Sequence, residues 1–216
     1  MQLDLTADEV LTTTRSVRKR LDLDRPVSRE VIEECLDIAL QAPSGSNSQG
    51  WQWVFVTDPA KKRVIADCYG KHYDAYAGKI TPEYPEGDPR IEQRPKILDS
   101  SQYLRQIFHQ VPVMMIPCIE RGGRLDTGTN TVAQASGWGS LLPAVWSFML
   151  ALRSRGLGSA WTTLHLPDEK VVADLLGIPY DTVTQAGLFP IAYTIGTDFK
   201  PATRLPAASL SHWESW

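Results

Sequence analysis

Cysteine is scarce in this sequence: Cys35, Cys68 and Cys118 lie far apart and never as Cys-x-x-Cys. An odd, scattered set excludes a disulfide framework and offers no zinc-ligand spacing, so no metal site is expected. Cys35 and Cys118 sit in apolar stretches and read as small buried hydrophobes. A strong charge of one sign is lacking as well. The formal net charge is -3, and with no dominant basic stripe a nucleic-acid partner is not expected. The N-terminus has no basic region followed by an apolar run, so no signal peptide is expected. No uninterrupted apolar run reaches the roughly 18 residues of a membrane helix. The expected location is therefore the cytoplasm, with no membrane partner. Gly156-Leu157-Gly158 lacks a suitable third glycine, which argues against a Rossmann dinucleotide fingerprint. The four histidines, His72, His109, His165 and His212, stand alone and read as structural.

What is present suits one folded domain over residues 1–216, since 43% hydrophobic against 22% charged residues is an ordinary globular balance. Thr6-Ala7-Asp8-Glu9 has capping-box spacing and starts a helix reaching about Thr14. Ser28 is expected to cap a second helix, in which Val31, Cys35 and Ala39, with Ile32, Leu36 and Leu40, recur at three and four residues. Pro43 and Gly45 end it. Trp51 to Thr57 is aromatic and β-branched and reads as a strand, and 59–69 reads as helical. From Gly70 to about Pro95 the pattern dissolves; this stretch is expected to be irregular, either a lid over the site or a surface insertion. Its lid candidates are His72, Tyr73 and Tyr76.

Val111 to Ile119 is a second apolar strand, which Pro112 and Pro117 suggest is short or near an edge. Arg121 to Thr129 is a Gly-rich turn. Ala133 to Leu152, closed by Arg153, Arg155 and Gly156, is a buried helix with a basic last turn and a glycine stop. Pro143 implies a kink in it or a start near Ser140. Gly137, Gly139 and Ser140 would let another backbone come close. An extended piece at Ser159 to Thr163, a helix at Pro167 to Leu176 and a strand at Ala186 to Ile195 follow. In the tail, 203–216, Trp213 and Trp216 are expected to pack down, on this chain or on a partner. Helices and strands mix without regular alternation, which indicates an α+β fold.

Three segments can carry chemistry. Arg15-Ser16-Val17-Arg18 offers two guanidinium forks and a hydroxyl, the donors a phosphate takes; alone, such a run is ordinarily a solvated basic face. Pro43-Ser44-Gly45-Ser46-Asn47-Ser48-Gln49 offers amide side chains that both donate and accept, as the pyrimidine edge of a flavin requires; alone, it is a turn. Gly156-Leu157-Gly158-Ser159-Ala160-Trp161-Thr162-Thr163 offers extended backbone N–H groups, with Arg204 later as a second phosphate ligand; alone, it is a helix stop and a strand.

In this order, Arg-Ser-x-Arg, Ala-Pro-Ser-Gly-x-Asn-x-Gln-x-Trp, a long helix ending in Gly-Leu-Gly, and Gly196 to Arg204, the segments resemble the nitroreductase-like flavoprotein family across essentially the whole chain. The resemblance implies a three-layer sandwich around a mostly antiparallel sheet, two chains intertwined as a homodimer, and FMN at their interface. It places Arg15, Ser16, Val17 and Arg18 at the FMN phosphate and ring. Pro43, Ser44, Gly45, Asn47 and Gln49 then lie along the flavin of the other subunit. Trp161, Thr162 and Thr163 face the ring edge, and Arg204 reaches the phosphate. Thr14 and Gly50 depart from the family pattern, which often has a basic residue and a proline there; Gly50 is expected to loosen its loop.

The reaction so implied is transfer of a hydride from NAD(P)H through flavin N5 to a small nitroaromatic, quinone or enone acceptor. One open flavin face would serve both in turn. No side-chain nucleophile is expected, and Arg18 is the candidate stabiliser of reduced flavin. Other flavin chemistry, such as reductive dehalogenation or flavin breakdown, and a non-catalytic FMN-holding role are the alternatives.

Overall fold

Strand β2 (Val113–Glu120) is buried along all but its last residue, and the alternation of its side chains divides the molecule into layers. In the computed structural model, which describes residues 2–77, 83–125, 128 and 130–216, Met114, Ile116 and Cys118 point into one apolar cluster. Val113, Met115 and Ile119 point into another. Two buried faces on one strand require helices on both sides of the sheet.

The sheet is antiparallel throughout, in the order β1–β2–β5–β3, with β4 pairing β2 beyond the end of β5. β1 (Trp51–Val56) runs along β2 from Trp51↔Ile119 to Val56↔Met114. On the other side, β5 (Phe189–Tyr193) pairs with Val113–Met115, and β4 (Val183–Gln185) pairs with Cys118–Glu120. β3 (Leu157–Ser159) pairs with β5. β2 enters late, at Val113 just after Pro112, as the sequence suggested, but the prolines do not put it at an edge. Pro117 falls between the two pairings on that side, where its missing N–H is not needed, and its carbonyl still accepts from the Ala186 amide at 2.9 Å.

One outer layer is α2 (Arg29–Ala39) and α5 (Thr131–Ser154). Ile32, Cys35 and Ala39 meet Leu141, Val145, Phe148 and Leu152 there. The other layer is α3 (Pro59–Tyr76), α4 (Pro89–Ile107) and α6 (Glu169–Leu176), contributing Ile65, Tyr69, Leu104 and Val172 beside Phe108. Burying a side chain of this size stabilises by about 1.5–3 kcal/mol. α1 (Ala7–Thr13) has the full capping box expected of Thr6 and Glu9. Ser28 holds the N-cap position of α2 but makes no capping bond.

α5 starts at Thr131, where Asn130 accepts from the Ala133 amide at 2.8 Å, and continues through Pro143 rather than starting near Ser140. By length and composition it is apolar enough to cross a membrane, although no uninterrupted apolar run reaches that length in the sequence. Here it packs along the sheet, and Gly137 leaves only enough room for Leu125, whose Cδ1 would lie 2.2 Å from an added Cβ.

The expected irregular stretch from Gly70 to Pro95 is largely helical. α3 runs on to Tyr76 because Tyr69, Gly70 and Tyr73 continue its buried face. Gly70 is needed there: the Arg105 guanidinium packs where a Cβ would be, 2.9 Å away, and pairs with Asp74 at 2.6 Å. α4 begins at Pro89, capped by Asp88, and carries Pro95 on its exposed side. Residues 78–82 of the expected insertion lie outside the described residues. β4 was not foreseen, and the Ala186–Ile195 strand narrows to β5. The helix expected from Pro167 opens instead as a 3-10 turn, Leu166–Asp168, before α6. The two tryptophans of the tail do not pack on their own chain: Trp213 and Trp216 are 88% and 101% exposed, with His212 stacked on Trp216 at 4.5 Å.

All three cysteines are buried and free; burial pushes the Cys35 thiol up to about 11 and Cys118 to about 12. His165 is fully buried. The Gln185 amide donates to the Glu169 carbonyl at 2.8 Å, turning its oxygen toward His165 Nε2 at 3.1 Å. Burial lowers the His165 pKa to about 4. The unfolded chain binds this proton near pH 6.5, so the neutral imidazole contributes its full stability above that pH and loses it as pH falls toward 4. Between pH 7 and 5 the unfolding free energy should drop by about 2 kcal/mol more in the wild type than in His165→Gln, measured by urea denaturation; equal slopes would contradict the assignment.

Candidate active site

The arginine segment is fixed by backbone pairing. After α1 ends, with the Thr14 hydroxyl donating to the Val10 carbonyl at 2.6 Å, the chain runs parallel to β3. Ser16 bridges Ser159, and the Val17 amide donates to the Ser159 carbonyl at 2.8 Å. It then turns beside β5, where the Asp22 amide donates to the Tyr193 carbonyl at 2.8 Å. Val17 and Leu21 point into the core at 6% and 2% exposure, while Arg15, Ser16 and Arg18 reach one cleft. The two glycines of Gly-Leu-Gly have separate tasks. Gly156, at φ 73°, takes the left-handed turn after α5. Gly158 lets Val17 approach, since a Cβ there would lie 2.8 Å from the Val17 Cβ.

The late segment is fixed by cations. After the left-handed turn at Gly196, Arg20 donates to the Ile195 carbonyl at 2.7 Å and to Asp198 at 2.6 Å. Its guanidinium lies 4.2 Å from the centre of the Phe199 ring, and that of Arg153 lies 5.1 Å from it. Arg15 Nη1 donates to the Lys200 carbonyl at 2.9 Å. These contacts direct the chain so that Arg204 reaches the same place as Arg15.

That place is a cleft of about 470 Å³. Of the residues singled out in the sequence, Arg15, Ser16, Arg18, Trp161 and Arg204 line it, with Thr14. α4 adds Gln93, Lys96, Ile97 and Ser100, and α5 adds Trp146 and Met149. No carboxylate pairs with Arg15, Arg18, Lys96 or Arg204 among the described residues, whereas neighbouring Lys19 is paired with Asp99 at 2.5 Å. Arg18 Nη1 has Ser100 Oγ at 3.4 Å. Burial lowers the Arg18 pKa, and the nearby phenols of Tyr69 and Tyr73 oppose that. The cleft thus combines unneutralised cations with an apolar wall of Trp161, Trp146, Met149 and Ile97.

Other candidates stand apart. Pro43, Ser44, Gly45, Asn47 and Gln49 do not line this cleft. Their loop rests on α5, where the Gly45 amide donates to Ser140 Oγ at 2.9 Å, and its Asn47 and Gln49 side chains bond each other at 3.1 Å. Ser46, Asn47 and Gln49 all have positive φ, of 54°, 52° and 48°. Held strain of this kind clusters at ligand clamps. Gly50 does not loosen the loop: a Cβ would lie 2.4 Å from the Glu120 carbonyl oxygen, so it is a point of close contact. The Thr162 amide is engaged with the Leu188 carbonyl at 3.2 Å. Thr163 lines a second cavity, about 520 Å³, shared with Trp138, Arg124 and the other side of Trp161.

The lid candidates belong to α3 and do not line the arginine cleft. His72 Nε2 lies 2.9 Å from Asp168, Tyr73 shares a hydrogen bond with Ser101 at 2.9 Å, and Tyr76 is exposed. Gln93, Lys96 and Ser100 escaped the sequence reading because α4 did. The Asp88-Pro89 pair, an N-cap followed by a proline at the first turn, was the available signal.

A sequence profile of the nitroreductase family matches residues 11–193. The chain is 27% identical over 205 residues to a nitrobenzene nitroreductase of Ectopseudomonas oleovorans, covering 84% of each. Its fold is similar to that of an FMN- and NADPH-dependent nitroreductase of Sphigopyxis sp. strain HMH, with TM-score 0.70, 22% identity and coverage of 98% and 100%. It is also similar to an iodotyrosine deiodinase bound to FMN and 3-iodo-L-tyrosine, with TM-score 0.69, 21% identity and coverage of 93% and 95%.

Gly158→Ala should destabilise the protein by about 1–3 kcal/mol in urea, because the methyl group must push Val17 off β3. Exchange of the Val17 amide should accelerate with it. An unchanged midpoint would show that the segment is not held by this contact.

Proposed function

The chain belongs to the nitroreductase family, and from that premise we propose that it is an FMN-dependent oxidoreductase. It takes electrons from NAD(P)H and passes them to a small nitroaromatic, quinone or enone-type acceptor, as a homodimer. The observation that carries this reading is the cluster of cations without carboxylates, Arg15, Arg18, Lys96 and Arg204, around one cleft with an aromatic wall. A dianionic phosphate on a flat, largely apolar ring fits that combination.

When bound, FMN would supply the redox chemistry, hydride exchange between nicotinamide and acceptor in ping-pong order. The chain's own residues bind and orient. Arg15, Ser16 and Arg204 hold the phosphate, with Lys96 reinforcing them from α4. Arg18, partly desolvated and without a carboxylate, supplies a fixed positive charge for the electron-rich, reduced form. Val17 anchors the segment through its backbone and buried side chain. Trp161 closes one side, next to Thr162 and Thr163.

The homodimer accounts for the loop that misses its own cleft. Pro43, Ser44, Gly45, Asn47 and Gln49 would be laid by one chain along the flavin of the other, their amides meeting its alternating donors and acceptors. α5 offers the surface for this: Val132 and Trp146 are 78% and 40% exposed, and Trp146 is also a wall of the cleft.

Protein purified with FMN should be yellow and should bleach when NADH or NADPH is added without oxygen. A yellow protein that stays oxidised would favour an FMN-holding role or another donor. A colourless protein that cannot be loaded would end the reading. Arg15→Ala and Arg204→Ala should each weaken FMN binding about tenfold or more, the loss of one charge-assisted contact, read by fluorescence quenching.

A further inference from the structure

Arg153, near the end of α5, is 5% exposed and has no carboxylate partner among the described residues. Its Nε and Nη2 donate to Thr13 Oγ1 at 3.2 and 3.1 Å, and Nη2 also donates to the Thr197 carbonyl at 3.0 Å. Nη1 has no hydrogen-bond partner. Neither has the hydroxyl of Ser159, which is 3% exposed. Both residues line one cavity of about 10 Å³, roughly the space of a single water. Thr14, Arg15 and Met149 line that cavity and also the arginine cleft. The cavity therefore lies directly behind the cleft.

A buried guanidinium without a counter-ion is unfavourable, and its cost is visible here: burial, and then Arg20, lower the Arg153 pKa. An anion on the far side of the Thr14–Arg15 wall would offset that cost. We infer that Arg153 is a positioning residue for the flavin phosphate, a rear counter-charge that acts across the Thr14–Arg15 wall with one water bridging it and Ser159. This rests on the FMN reading above. Arg153 does not touch the phosphate. Its field adds to those of Arg15 and Arg204, while its bond to Thr197 and its contact with Phe199 also hold the segment that carries Arg204.

The two contributions separate in a comparison of FMN with riboflavin, which lacks the phosphate. Apoprotein is titrated with each flavin for the wild type, Arg153→Met, Arg204→Met and the double variant. Arg153→Met should lower the FMN-to-riboflavin affinity ratio about tenfold, and about tenfold again in the Arg204→Met background. Arg153→Lys, which keeps the charge and loses the fork, should retain most of the ratio, and it carries the test should Arg153→Met not fold. Equal losses for both flavins, no further loss in the Arg204→Met background, or a collapsed ratio in Arg153→Lys would overturn the inference and reduce Arg153 to a structural pin. A wild type that binds both flavins equally, or neither, would instead remove the phosphate reading beneath it.

Discussion

The structure depends on one close approach, the backbone of Ser16 and Val17 lying against Gly158 and Ser159. The bond from the Val17 amide to the Ser159 carbonyl, 2.8 Å, is short and buried, and the missing Gly158 side chain makes it possible. β3, in turn, is held by β5, and β5 by the central strand β2. The position of the arginine segment is thereby referred to the most deeply buried part of the sheet. A cation placed this way has lost little freedom that a ligand must still remove, which is what preorganisation means for a charged site.

Around this contact the charges are arranged by omission. The chain as a whole is slightly acidic, at -3, yet no carboxylate pairs with Arg15, Arg18, Lys96 or Arg204 among the described residues. Adjacent cations are neutralised: Lys19 by Asp99 and Arg20 by Asp198. Arg20 is used to steer the late segment through Ile195, Asp198 and Phe199. Its role is structural, while Arg15 and Arg18, five and two residues before it, stay available. Neighbours in one short basic run thus divide into those that hold the chain and those that face the cleft.

Much of this was legible in the sequence. Thr6 and Glu9 announced α1 because a capping box is local chemistry. The periodicity of Ile32, Cys35 and Ala39 gave α2, the aromatic and β-branched run from Trp51 gave β1, and the apolar run from Val111 gave β2. Arg15, Ser16, Arg18, Trp161 and Arg204 were singled out from distant parts of the chain and line one cleft. The α3–α4 hairpin was not legible. Its buried positions are few and mixed with Gly70, Pro95 and many charges, so no periodic signal stands out. With α4 went Gln93, Lys96 and Ser100. β4 is three residues long and is defined by pairing with β2, not by its own pattern. Pro117 suggested an edge because a sequence does not show which side of a strand lacks a partner. Arg153 read as a helix-stop residue, and only its burial reveals a charge without a counter-ion.

The central claim is that this cleft grips a flavin phosphate from the arginine side. A crystal structure of the protein grown with FMN tests it most directly. Phosphate density should lie within hydrogen-bonding distance of the Arg15 and Arg204 guanidinium groups, with the ring against Trp161. Density for the phosphate elsewhere, with those two side chains still facing solvent, would contradict it.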